Sequence, residues 1–295
     1  MTIDGALLLD KPIGVSSNFA LQKAKRIMDA RKAGHGGTLD PLASGLLMVL
    51  FGEATKFAGP LLDGDKEYLA TLQLGATTAT GDAEGEVLER RAIDTNEAGI
   101  QEVLGRFRGE IEQIPPMYSA LKRDGVPLYK LARRGEEVER RPRRVTIGEL
   151  ELRLFRSPFI ELRVRCSKGT YIRTLAQDIG AALGCGAHLA ALRRTASGRF
   201  RIEDAVGLDA LAAMTPAGRL QRLLPLAALL EDLPRAELDA PAAARLRNGQ
   251  TLPIAGLGEG LCGVYGPGGV VIGLGHSDGA SLRAFRLTQA TEKHR

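Results

Sequence analysis

The residues best suited to chemistry lie in one run, Gly34-His35-Gly36-Gly37-Thr38-Leu39-Asp40-Pro41-Leu42-Ala43-Ser44-Gly45-Leu46-Leu47. A single carboxylate, Asp40, stands between a glycine-rich turn and a proline. Glycine admits backbone angles closed to other residues and lets a bulky ligand approach the main chain. Proline suits the first position of a helix, where its missing N–H costs nothing. An acid at such a turn-to-helix junction is aimed outward, where it can act as base, nucleophile or ligand. Equally, it can cap the helix, a role worth about 0.5–2 kcal/mol. Spacing alone leaves both readings open.

Other chemistries find no support. The four histidines, His35, His188, His276 and His294, form no pair at metal-ligand spacing, so no metal is expected. The cysteines Cys166, Cys185 and Cys262 are odd in number and far apart, which excludes a disulfide framework and fits a reducing compartment. Neither a phosphate-binding Gly-x-x-x-x-Gly-Lys-Ser/Thr run nor a dinucleotide-binding Gly-x-Gly-x-x-Gly unit is present, so no cofactor is expected.

The elements that must position Asp40 follow from apolar patterning. Ala6–Leu9 reads as a buried strand ending in a turn at Lys11-Pro12. Ser16 or Ser17 can cap a helix running to about Ala30. Pro41 then begins a second helix towards Leu50. Glu67–Leu74 alternates as a strand, with Tyr68, Ala70, Leu72 and Leu74 on one face. Thr77–Gly85 is a polar loop holding Asp82, and Val87–Glu89 a short returning strand. Thr95 caps a helix to about Phe107, and Pro127–Arg134 is a short basic helix ended by Gly135. Val145–Phe155 and Phe159–Cys166 are strands, Thr170–Leu183 a helix with an apolar stripe, and Leu189–Thr195 a further strand. Strands and helices mix without regular alternation, so the expected class is α+β with a mainly antiparallel sheet. Composition shifts near Pro234 towards glycine and short alternating strands. The predicted division is residues 1–235 and a small β-barrel at 236–295, with Thr291–Arg295 as a loose end.

The chain carries a net charge of +5 over 295 residues. Between Leu121 and Arg144, nine Lys/Arg face four Asp/Glu, so this stretch alone carries a charge equal to that of the whole chain. Lys122, Arg123, Lys130, Arg133 and Arg134 belong to it, and such a block suits contacts to nucleic-acid phosphates. No apolar run approaches the ~20 residues of a membrane span. The Ala6–Leu9 segment lacks the basic start of a signal peptide. A cytoplasmic protein is therefore expected.

The Asp40 run resembles the signature of the bacterial tRNA pseudouridine-55 synthase (TruB) family of pseudouridine synthases. That family sets its catalytic aspartate in His-x-Gly-x-Leu-Asp-Pro-x-Ala-x-Gly, and each fixed position is present here. The resemblance extends over roughly residues 5–205. It implies a pseudouridine synthase core, and the tail resembles a PUA domain, an RNA-binding β-module. It also implies roles for individual residues. Asp40 would be the catalytic carboxylate. Arg173, in Tyr171-Ile172-Arg173, would be its basic partner, and Asp82 an acid pairing with that arginine. Tyr68, in Lys66-Glu67-Tyr68, would stack on the target base, with Tyr171 in the same pocket. His35 would help prise out the target nucleotide. Lys11-Pro12 matches an element read as mainly structural. The implied substrate is the T-loop of tRNA, with no cofactor, no membrane and no obligate protein partner. A guide-RNA-dependent synthase and a tRNA-folding chaperone are the competing readings.

Overall fold

The chain was analysed as a computed structural model describing residues 3–119 and 121–289. The expected loose end at 291–295 lies outside them.

Gly5–Lys11 is a strand, almost wholly buried, next to the edge of a ten-stranded sheet. Across the sheet the order is Val206–Gly207, Gly5–Lys11, Ala43–Phe51, Ala187–Ser197, Lys66–Leu74, Phe159–Cys166, Arg143–Arg156 and Gly109–Gln113. Ala33–His35 and Phe200–Arg201 add short side pairings. Within this sheet, among the described residues, strands pair in parallel only where Val206–Gly207 meets Gly5–Lys11 and where Ala187–Ser197 meets Ala43–Phe51. The fold is therefore α+β with a mainly antiparallel sheet, as expected.

One expectation is overturned. The segment after Pro41 is not a helix but the strand Ala43–Phe51. Its residues Leu46 to Phe51 form an unbroken apolar run, each at most 2% exposed. A run that is apolar on every side has no helical or strand period, so its pattern cannot distinguish the two. The tertiary setting decides. Leu47, Val49 and Phe51 pack on one face against Leu21 and Ala24 of the Ser17–Ile27 helix. Leu46, Met48 and Leu50 pack on the other against Phe57, Leu229 and Leu230. A central strand covered on both faces takes this composition.

Helix starts follow local chemistry. Ser16 caps Ser17–Ile27 by accepting from Phe19 N. At the next helix, Glu97–Gly105, the cap is Asn96 and not Thr95, because the Asn96 carboxamide reaches Gly99 N. Ile172–Ala182 buries Ile172, Leu175, Ala176 and Ile179 against the sheet, matching the predicted stripe. The basic helix is shorter than expected, Leu128–Ala132, and Gly135 follows at φ +74°.

A second, five-stranded sheet runs Arg235–Glu237, Glu259–Tyr265, Val271–Asp278, Ser281–Leu287 and Leu252–Pro253. With the helix Ala240–Arg247 it encloses its own core of Leu246, Val264, Ile272 and Leu282, consistent with a PUA-like module. Tyr265 and Leu274 of this sheet pack on Phe57, Leu229 and Leu230 of the larger unit.

Gly45 is the tightest point of the main sheet. Its φ is +101°, and a Cβ there would lie 2.3 Å from the Arg194 carbonyl oxygen. Gly45→Ala should therefore cost at least about 2 kcal/mol, read as a lowered urea midpoint with unchanged slope. Gly36→Ala, where the nearest atom is 3.6 Å away and φ is not left-handed, should stay within about 0.5 kcal/mol.

Candidate active site

The Asp40 turn is held from three sides. Ser17 Oγ accepts from Leu39 N at 2.7 Å and donates to Leu39 O at 2.9 Å. Gly14 N donates to Pro41 O at 2.8 Å, and Ala43 N closes the turn on Asp40 O at 3.1 Å. Arg194 donates through Nε to Leu46 O at 2.7 Å and through Nη2 to Gly37 O at 3.3 Å. Leu39 and Leu42 are buried in the core beneath, so the chain between them must present Asp40 outward.

Asp40 is not a helix cap. Its Oδ2 lies 2.9 Å from Arg173 Nη2. Arg173 sits in the first turn of Ile172–Ala182 and is only 4% exposed. Its Nη2 also donates to Tyr118 O at 2.7 Å and its Nη1 to Thr80 O at 3.3 Å. Its Nε faces Asp82 Oδ2 at 3.7 Å. Asp82 is buried, accepts from Glu84 N at 3.1 Å and contacts Thr80 Oγ1. One guanidinium thus bridges two carboxylates from different loops. The turn ahead of Arg173 is fixed by Gln113, whose side chain accepts from Tyr171 N at 3.1 Å and donates to Tyr171 O at 3.3 Å.

Around this pair opens a cavity of about 490 Å³, lined by Asp40, Lys66, Tyr68, Tyr171, Arg173, Leu192 and Arg194. A neighbouring cavity of about 440 Å³ shares Thr38, Leu39, Asp40, Ser119 and Arg173 and adds His35, Asp82, Tyr129 and Arg133. The two form one cleft divided at Asp40. Tyr68, 9% exposed, stands opposite Arg194 in the pairing of Lys66–Leu74 with Ala187–Ser197.

Electrostatics follow from enclosure. The Asp40 side chain is still 41% accessible, but only through the cleft, with protein on its other sides. Burial therefore raises its pKa above the ordinary 3.8, and the Arg173 charge opposes the rise. Burial also raises the Tyr68 phenol, so it stays a protonated donor at neutral pH. Burial and the Arg194 charge lower His35, which keeps a neutral ring. Lys11 is fully buried and bonds Val15 O at 2.7 Å and Pro12 O at 2.9 Å. Burial, aided by Arg194 and resisted by Asp40, brings it down to about 8.

The structure gathers Asp40, Arg173, Asp82, Tyr68, Tyr171 and His35 around the cleft. Of the basic block, Arg133 reaches it, with Tyr129 beneath its guanidinium at 5.6 Å. Lys122 and Arg123 instead line a separate groove with Arg140 and Arg141. Lys130 is exposed, and Arg134 faces Glu136 at 3.9 Å. Sequence reasoning missed Ser17, Gln113, Leu192 and Arg194, and it placed Lys11 in a structural role without its proximity to Asp40. The one available signal for Arg194 was a charge at an inward strand position, in step with Leu192.

Among the described residues no group of three His, Cys, Asp or Glu side chains could hold a metal ion. No helix among them is long and apolar enough to cross a membrane. The cleft can enclose a planar, uncharged group against an aromatic ring and present a carboxylate to its edge.

Residues 25–172 match the TruB family pseudouridylate synthase N-terminal domain, and residues 173–231 the tRNA pseudouridylate synthase B C-terminal domain. The tRNA pseudouridine synthase B of Dechloromonas aromatica (strain RCB) is 54% identical over 98% of this chain and 97% of that protein. The enzyme of the same name from Azoarcus sp. (strain BH72) is 55% identical over 97% of this chain and 95% of that protein. Among solved structures, a Cbf5-Nop10-Gar1 complex contains a chain that superposes with a TM-score of 0.73 at 31% identity, covering 92% of this chain and 78% of that one.

The sign of the Asp40 shift is testable directly. Carboxyl carbon NMR should show Asp40 titrating above 3.8, and Arg173→Met should move it higher still, because the opposing charge is gone. A midpoint unmoved by Arg173→Met would remove Arg173 from control of Asp40 ionisation.

Proposed function

The chain belongs to the TruB family of pseudouridylate synthases, and from that premise we propose that it converts uridine 55 in the T-loop of tRNA to pseudouridine, with Asp40 as the catalytic carboxylate. The observation that carries this reading is the Asp40–Arg173 pair, 2.9 Å apart, opening onto the cavity that also holds Tyr68.

The reaction is an isomerisation. The C1′–N1 bond breaks, the base turns over, C1′–C5 forms, and the proton lost from C5 is balanced by one gained at N1. No oxidant or energy source enters. Both attack by a carboxylate and proton abstraction from the sugar begin from ionised Asp40. Arg173 holds that charge against the pull of burial and is itself held by Asp82. The Tyr68 ring offers a plane for an unstacked base, and its protonated hydroxyl can donate. Tyr171 lines the same cavity. The neutral His35 ring, lining the neighbouring half of the cleft, can occupy the space that a flipped base leaves. Lys122, Arg123, Lys130, Arg133 and Arg134 would follow the RNA backbone outside the cavity. Residues 1–235 would form the catalytic unit and 236–295 an RNA-binding module. The proposed setting is the cytoplasm, with tRNA as partner and no obligate protein.

A tRNA-folding activity would use the same basic groove without Asp40. Pseudouridine mapping in an unmodified tRNA transcript separates the two. The native chain should give one product, in the T-loop, and Asp40→Asn should reduce it by at least about 10³-fold while tRNA binding and the thermal midpoint hold. The midpoint should hold because the raised Asp40 pKa makes its ionised form a cost to folding at neutral pH, which asparagine removes. No product from native protein that binds tRNA would overturn the assignment. Arg133→Glu with Arg134→Glu should weaken tRNA affinity and lower its salt slope; an unchanged slope would make those arginines bystanders.

A further inference from the structure

Arg143 stands out among the cations around the cleft because two nitrogens of its guanidinium are shielded from solvent without a hydrogen-bond partner. It begins the Arg143–Arg156 strand and pairs in register with Gln113. Its neighbour Arg144 faces Glu110 at 3.3 Å, but among the described residues Arg143 has no carboxylate within ion-pair distance. Its Nε and Nη2 are shielded from solvent and make no hydrogen bond. Its one directed contact is the Tyr171 ring, whose centroid lies 4.8 Å from the guanidinium carbon. Gly169 comes close on another side, near enough that a Cβ there would touch Nη1 at 3.4 Å.

Arg143 is half-buried, and leaving two of its donors shielded from water without partners is unfavourable for folding, so they call for a reason. Tyr171 supplies one. Gln113 fixes its main chain through two hydrogen bonds. Its hydroxyl makes no hydrogen bond among the described residues, so its ring orientation is left to packing. The Arg143 plane is the directed contact that sets it, by attraction to the ring face.

We propose that Arg143 is a positioning residue: it holds the Tyr171 ring as the fixed wall of the target pocket, two residues from Arg173, so that a nucleobase beside Asp40 is presented at one angle. This rests on the pseudouridine synthase reading. Misorientation of a bound group by a fraction of its size is enough to slow a reaction without weakening binding.

A double-mutant cycle tests it, with pseudouridine formation in a tRNA transcript as the readout. Arg143→Gln should lower kcat about tenfold with KM within about twofold. In a Tyr171→Leu background the same change should cost less than about twofold, because the ring through which it acts is absent. Arg143→Lys should recover little, since an ammonium keeps the charge but lacks the flat face. Should Arg143→Gln fail to fold, Arg143→Lys carries the same cycle. Equal losses in both backgrounds would overturn the proposal. So would full rescue by lysine, or a loss confined to KM with a lower salt slope, which would mark a phosphate contact instead. A native chain that forms no pseudouridine would sink the functional reading itself. An active native chain indifferent to Arg143 would sink only this inference.

Discussion

The structure depends on keeping one carboxylate charged in a place that discourages charge. Asp40 opens onto a cleft with protein on most sides, and burial pulls it towards its protonated form. Arg173 is the counterweight, but an arginine that is 4% exposed is itself expensive unless its donors are used. They are used: Asp40, Asp82, Tyr118 O and Thr80 O take them up. The ion pair is therefore a small network, drawn from three loops and the start of one helix. Removing Arg173 or Asp82 would leave a buried charge short of partners, whereas asparagine at Asp40 still offers Arg173 an oxygen.

The sheet exists, in this sense, to bring those loops together. The strands Ala43–Phe51, Ala187–Ser197 and Lys66–Leu74 are neighbours, so Gly45, Arg194 and Tyr68 fall in one row. Arg194 ties the row to the Asp40 turn through Gly37 O and Leu46 O. The close approach needs Gly45, since any side chain there would meet the Arg194 backbone. The final glycine of the Asp40 run thus answers to a neighbouring strand, not to the turn it follows in sequence.

Much of this was legible in the residues alone. The Asp40 run, the Tyr68 strand and the Arg173 helix could be found because each joins a local pattern to a chemically distinctive side chain. What stayed hidden depends on long-range register. Leu46–Phe51 has no period to read, so a proline before it suggested a helix where two apolar layers impose a strand. Ser17 looked like one of two possible caps, yet its hydroxyl is spent on Leu39, 22 residues away. Gln113 carries no local sign of its role, and its amide holds Tyr171, 58 residues on. A polar side chain on a strand reads as solvent-facing until the partner strand is known. The basic block was visible as charge, but only folding separates Arg133, at the cleft, from Lys122 and Arg123 in their own groove.

The same geometry sorts the cationic groups by what they can do. Arg173 and Arg194 cannot shed their protons, so they set a fixed positive background. Against that background a further charge is costly, and the groups that can respond do so. Lys11 falls to about 8, and His35 is lowered into the neutral form, with Arg194 contributing to both. A neutral ring can slide into a stacked position that an imidazolium would resist leaving water to take. The exposed cations, Lys130 and Arg134 among them, lie outside the cleft, where they can meet a flexible polyanion. The positive groups thus oppose the burial that raises Asp40, while the His35 ring beside them stays uncharged. Fixed charge within and mobile charge without is the arrangement expected of a site that draws in a polyanion but acts on an uncharged base.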